Sequence, residues 1–93
     1  MISSETNFKR KTLKYLRDHY PNDWFFKSSE KFISGIPDIL ACINGKFFAF
    51  ELKVGSNKPT LLQAHVINKI RKAGGAAGVA YTIQDIKNII ERG

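Results

Sequence analysis

Apolar and polar residues alternate along this chain in two rhythms, one helical and one extended. From Ser4 to about His19, the residues Phe8, Thr12, Tyr15, Leu16 and Tyr20 recur at helical spacing. Ser3 or Ser4 can cap that helix, and Pro21-Asn22 ends it. Asp23 to Lys31 contains the aromatic run Trp24-Phe25-Phe26 and reads as a strand, with those rings as core or interface rather than a base-stacking platform. A turn at Ser34-Gly35-Ile36-Pro37 leads into two β-prone runs, Asp38–Ile43 and Lys46–Val54, joined by Asn44-Gly45. That join is the strongest short-range signal for a hairpin with a type I′ turn. Beyond the loop at 55–59, Thr60 opens a second helix to about Ala73, with Leu62, Val66, Ile70 and Ala73 as its buried stripe. Gly74-Gly75 stops it. Ala76 to Tyr81 forms a small-residue strand, and Thr82 with Asp85 caps a last helix bearing Ile83, Ile86, Ile89 and Ile90. The order αβββαβα predicts an α/β domain, a four-stranded mixed sheet flanked by helices.

The hairpin turn also fixes a register. Ile43 faces Lys46, and counting outward puts Asp38 opposite Glu51. Cross-strand neighbours on one face have Cβ atoms about 4.5–5.5 Å apart. Lys53 shares that face roughly 7 Å further along. Leu40, Cys42, Phe47 and Ala49 fall on the face with these charges, and Ile39, Ala41, Ile43, Phe48, Phe50 and Leu52 on the other. Both faces are mostly apolar, which predicts central strands covered on both sides. Two opposed carboxylates repel unless a cation lies between them. Mg²⁺ suits such a pair, because it takes oxygen ligands and can activate water for attack on a phosphodiester. Lys53 would then stabilise developing negative charge or orient the nucleophile. The plainer alternative is a Lys53–Glu51 ion pair at a sheet end, with Asp38 a turn residue after proline.

Composition narrows the partners. The chain has 93 residues, enough for one domain spanning 1–93, and 43% of them are hydrophobic. Fifteen Lys/Arg against eight Asp/Glu leave a net charge of +7, which favours a polyanionic partner, although a solvated basic surface would give the same count. Cys42 is the only cysteine, so an intramolecular disulfide is excluded; inside an apolar run it reads as a small core residue. No signal-peptide pattern or membrane-length run is present, which points to a soluble, cytoplasmic protein.

Gly35-Ile36-Pro37-Asp38 followed by Phe50-Glu51-Leu52-Lys53 resembles the Pro-Asp…Glu-x-Lys signature of PD-(D/E)xK nucleases. Lys58-Pro59-Thr60-Leu61-Leu62-Gln63, Ile70-Arg71-Lys72-Ala73-Gly74, the strand Ala77–Tyr81 and Glu5 on the first helix extend the likeness to the VRR-NUC branch. The resemblance implies a restriction-endonuclease-like fold. It also implies Mg²⁺ or Mn²⁺ held by Asp38, Glu51, the Leu52 carbonyl and Glu5, directly or through water. Lys53 would be the catalytic lysine and Gln63 would help arrange the site. Gln63 could equally complete a capping box with Thr60, and Glu5 suits any helix N-terminus. His65 reads as an ordinary helix residue.

Stand-alone minimal members of that branch resemble Holliday junction resolvases of phage or bacterial replication and repair. The resemblance therefore implies an endonuclease acting on four-way or branched DNA, as a homodimer with two-fold related sites. Nonspecific or flap-type cleavage, and a non-catalytic basic nucleic-acid-binding domain, stay open as alternatives.

Overall fold

The computed structural model describes residues 3–28 and 34–93. Its elements are α1 (Ser4–His19), β1 (Trp24–Lys27), β2 (Ile39–Ile43), β3 (Lys46–Leu52), α2 (Leu61–Lys72), β4 (Ala76–Ala80) and α3 (Ile83–Arg92). The order is the expected αβββαβα. Residues 29–31, assigned above to the first strand, lie outside the described residues.

Local chemistry sets the boundaries. The Ser3 hydroxyl accepts from the Thr6 amide and starts α1. Thr60 with Gln63, and Thr82 with Asp85, form reciprocal capping boxes on α2 and α3. Asn44 and Gly45 both have positive φ, 51° and 80°, as a type I′ turn requires.

The strands form one sheet in the order β1-β2-β3-β4. β1, β2 and β3 are antiparallel, and β4 joins β3 in parallel after the α2 crossover. The register runs from Ile43↔Lys46 to Ile39↔Phe50, as counted from the turn. On one face, Ile39, Ala41, Ile43, Phe48, Phe50 and Leu52 pack with Leu13 and Leu16 of α1 and Ile86 and Ile89 of α3. On the other, Ala49, Ala77, Leu40 and Val79 meet Ile67 and Ile70 of α2. The partition of the hairpin between two faces is the one the pattern predicts.

Three expectations need correction. The residue of α2 that is buried is Ile67, while Leu62 is half exposed and Ala73 exposed. Leu62 and Val66 instead face the Gly35 turn: a Cβ built on Gly35 would lie 2.7 Å from Leu62 Cγ and 3.2 Å from Val66 Cγ2. Cys42 is exposed rather than core, because α2 packs against β3 and β4 and leaves the outer part of this face uncovered. For the same reason Trp24, Phe26 and Phe47 stay exposed, with the Trp24 and Phe26 rings stacked parallel at 5.9 Å. Phe25, pointing to the opposite face, packs against the larger core.

Candidate active site

Asp38 sits in the bend just before β2, and Glu51 is the penultimate residue of β3. Two neighbours fix the bend. The Ser28 amide donates to the Asp38 carbonyl at 2.9 Å, and the Ser28 hydroxyl donates to the Pro37 carbonyl at 2.7 Å. The Leu52 amide donates to Asp38 Oδ2 at 2.8 Å, tying the carboxylate to the end of β3. Lys53 continues the strand line, its amide donating to the Ala80 carbonyl at 3.0 Å.

Both acids are closed to solvent, Asp38 at 0% and Glu51 at 1% exposure. Neither Glu51 carboxylate oxygen receives a hydrogen bond among the described residues. Burial, then the neighbouring Asp38 charge, pushes the Glu51 pKa up to about 7, with Lys53 opposing. Lys53 Nζ lies 3.3 Å from Glu51 Oε2, a charge contact that falls short of an aligned hydrogen bond. A second ammonium, that of Lys9 on α1, lies 3.4 Å from Asp38 Oδ1. The site is therefore two buried carboxylates flanked by two lysines.

Asp38, Glu51 and Lys53 come together as the register predicts. The Leu52 atom in contact with Asp38 is its amide nitrogen. Among the described residues Glu5 reaches the group through Lys9, whose Nζ is 3.9 Å from Glu5 Oε1, and Glu5 keeps 44% of its side chain exposed. The Gln63 side chain accepts from the Thr60 amide at 2.8 Å, which is the capping-box role. Its hydrogen bonds do not join it to Asp38, Glu51 or Lys53. It lines a hollow with Ser34, Gly35, Ile36 and Leu62, beside the turn that leads to Asp38. His65 is exposed on the far side.

Sequence reasoning missed Lys9 and Ser28 as parts of this site. A lysine one helical turn after Glu5 was the available signal for Lys9. Nothing local marked Ser28. Among the described residues no group of three His, Cys, Asp or Glu side chains forms a metal cage. The two carboxylates nevertheless fit a hard divalent cation: they bring four oxygens together, and those of Glu51 accept no aligned hydrogen bond among the described residues.

The three helices and four-stranded mixed sheet make an αβββαβα core with paired acids at one sheet end. Among solved structures, one described as a VRR_NUC domain matches with probability 1.00 and a TM-score of 0.68. It is 24% identical in sequence, over 88% of this chain and 92% of that one. The chain thus has the fold of a VRR_NUC domain. No family model matches the sequence, and no curated protein does. No helix among the described residues is long and apolar enough to cross a membrane.

Proposed function

We propose that this chain is a metal-dependent DNA endonuclease whose reacting centre is Asp38, Glu51 and Lys53. The observation that carries the reading is the buried Asp38–Glu51 pair, whose Glu51 oxygens accept no aligned hydrogen bond among the described residues. Two such acids side by side weaken a small domain unless a cation offsets them. Asp38, Glu51 and the Leu52 carbonyl would hold Mg²⁺ or Mn²⁺, with Glu5 a candidate contact through water. A bound divalent ion would polarise a phosphodiester oxygen and lower the pKa of water beside it.

The protein's own groups have distinct tasks. Asp38 is oriented by the Leu52 amide, and the Pro37-Asp38 bend by Ser28, so the carboxylate needs no reorganisation on binding. Lys53 holds an ammonium within reach of a phosphate placed at the carboxylates, where negative charge grows as the P–O bond breaks. Gln63 fixes the start of α2, which packs on the turn leading to Asp38. The net charge of +7 favours DNA as the polyanion. Substrate choice by this domain would rest on phosphate contacts and DNA shape, which suits four-way or branched DNA cut by a homodimer.

The test uses end-labelled four-way junction, flap, linear duplex and single strand with Mg²⁺ or Mn²⁺. Wild type should cut with the metal and stop with chelator, and Lys53→Ala should lose on the order of 10²–10³ in rate. Absence of metal-dependent cutting on every substrate would sink the enzyme reading. Equal cutting of linear duplex and junction would remove only branch selectivity. Light scattering at assay concentration should give twice the chain mass, and a monomer on the junction would count against paired incision.

A further inference from the structure

A second basic feature lies at the other end of the sheet. Lys46 opens β3, Arg71 stands near the end of α2, and Arg92 is the last residue of α3. With Gly75, Ala76 and Ala77 they line a cavity of about 320 Å³ along the start of the edge strand β4. No acidic side chain lines it, and among the described residues none of the three cations is in an ion pair.

Arg71 is held in place. Its Nε donates to the Ala77 carbonyl at 2.7 Å, and Nη2 lies 3.6 Å from where a Gly78 Cβ would be. Capping an edge-strand carbonyl explains that one hydrogen bond. It does not explain why Lys46 and Arg92 converge on the same cavity, where three like charges repel. An anion removes that cost. A guanidinium anchored through Nε keeps its terminal nitrogens for a second partner, and their planar fork matches the oxygens of a phosphate.

We propose that this cavity is a phosphate-binding site, filled by a backbone phosphate of the nucleic acid. The proposal rests on the nuclease reading only for DNA as the source of the phosphate. Lys46 opens β3 and Lys53 follows its last residue, about 23 Å apart at the usual rise per residue. That distance matches about seven base pairs at 3.4 Å each. The cavity would therefore anchor a duplex arm about seven base pairs from the carboxylates.

The test is binding in chelator, where nothing is cut, so a protein that fails as a nuclease can still pass or fail here. Anisotropy of a labelled duplex is titrated across salt concentrations with wild type, Lys46→Ser/Arg92→Ser, and the charge-matched Arg10→Ser/Arg17→Ser on the exposed face of α1. The cavity variant should bind more weakly, with a log K against log salt slope shallower by about 0.9 for one lost phosphate contact. It should also lose more than the control. A thermal melt with inorganic phosphate runs in parallel, and phosphate should raise the wild-type midpoint more than that of the cavity variant. If phosphate stabilises only wild type while the DNA slopes agree, the backbone is overturned as the source. If cavity variant and control behave alike in both measurements, there is no site and only net charge matters.

Discussion

Glu51 carries the chemistry with the clearest solution signature. Its carboxyl is buried beside the Asp38 charge and accepts no aligned hydrogen bond among the described residues, so the folded protein holds its proton up to about pH 7. The unfolded chain releases that proton near 4.5, the ordinary value for a glutamate carboxyl. The folded state therefore binds the extra proton between these values, and stability from this group falls as pH rises through that window. Below it both states are protonated and the contribution is whole. Above it about 3 kcal/mol is lost in the metal-free protein. Urea midpoints in chelator at pH 5 and pH 7.5 should show this loss, and Glu51→Gln should remove it. Equal pH dependence in wild type and Glu51→Gln would refute the assignment. Lys9 adds a second residue-scale effect. Its ammonium offsets Asp38, so Lys9→Met should destabilise the metal-free protein and enlarge the stabilisation that Mn²⁺ provides. A metal-induced shift that shrinks instead would place Lys9 among the groups that support the cation.

Two elements deliver the carboxylates, and they were not equally legible beforehand. The hairpin was readable because its determinants are local: Asn44 and Gly45 tolerate positive φ, and the turn sets every pair out to Ile39↔Phe50. Both capping boxes were readable for the same reason. The buried face of α2 was not. Apolar residues at 62, 66, 67 and 70 support two neighbouring stripes, and only docking selects Ile67 for the sheet and Leu62 with Val66 for the turn. Lys9 and Ser28 were hidden likewise, since their contacts depend on how α1 and β1 approach the sheet end. The Leu62–Gly35 contact makes a testable link between α2 and the Asp38 bend. Gly35 has φ of +85° and no room for a Cβ, so Gly35→Ala should cost about 2–4 kcal/mol. In a Leu62→Ala background the cost should be smaller, because the clash goes while the backbone strain stays. Full additivity of the two substitutions in urea denaturation would show that α2 does not brace the turn.

At the scale of the whole molecule, two charge problems meet. A 93-residue chain carries a net charge of +7, yet it buries two acids at one end of its sheet. Small domains bury a limited share of their surface, so neither cost is negligible beside total stability. Both are relieved by the partners proposed above, a polyanion outside and a divalent cation within. The cation is the easier to isolate, because a ligand that binds only the folded state stabilises it by about 2.7 kcal/mol at a hundredfold over its Kd. For a domain of this size each kcal/mol moves Tm by about 4–8 °C. Calorimetry of Lys53→Ala, chosen to keep both proposed carboxylate ligands, should show a Tm that climbs with Mn²⁺ or Mg²⁺. The climb should be larger at pH 8 than at pH 5, because the metal competes with the proton on Glu51. Asp38→Asn should abolish most of it. A Tm indifferent to both metals at pH 8, in a protein that still binds DNA in chelator, would leave a basic DNA-binding domain with an unusual buried acid pair. A climb of equal size in Asp38→Asn would move the cation to some other part of the surface.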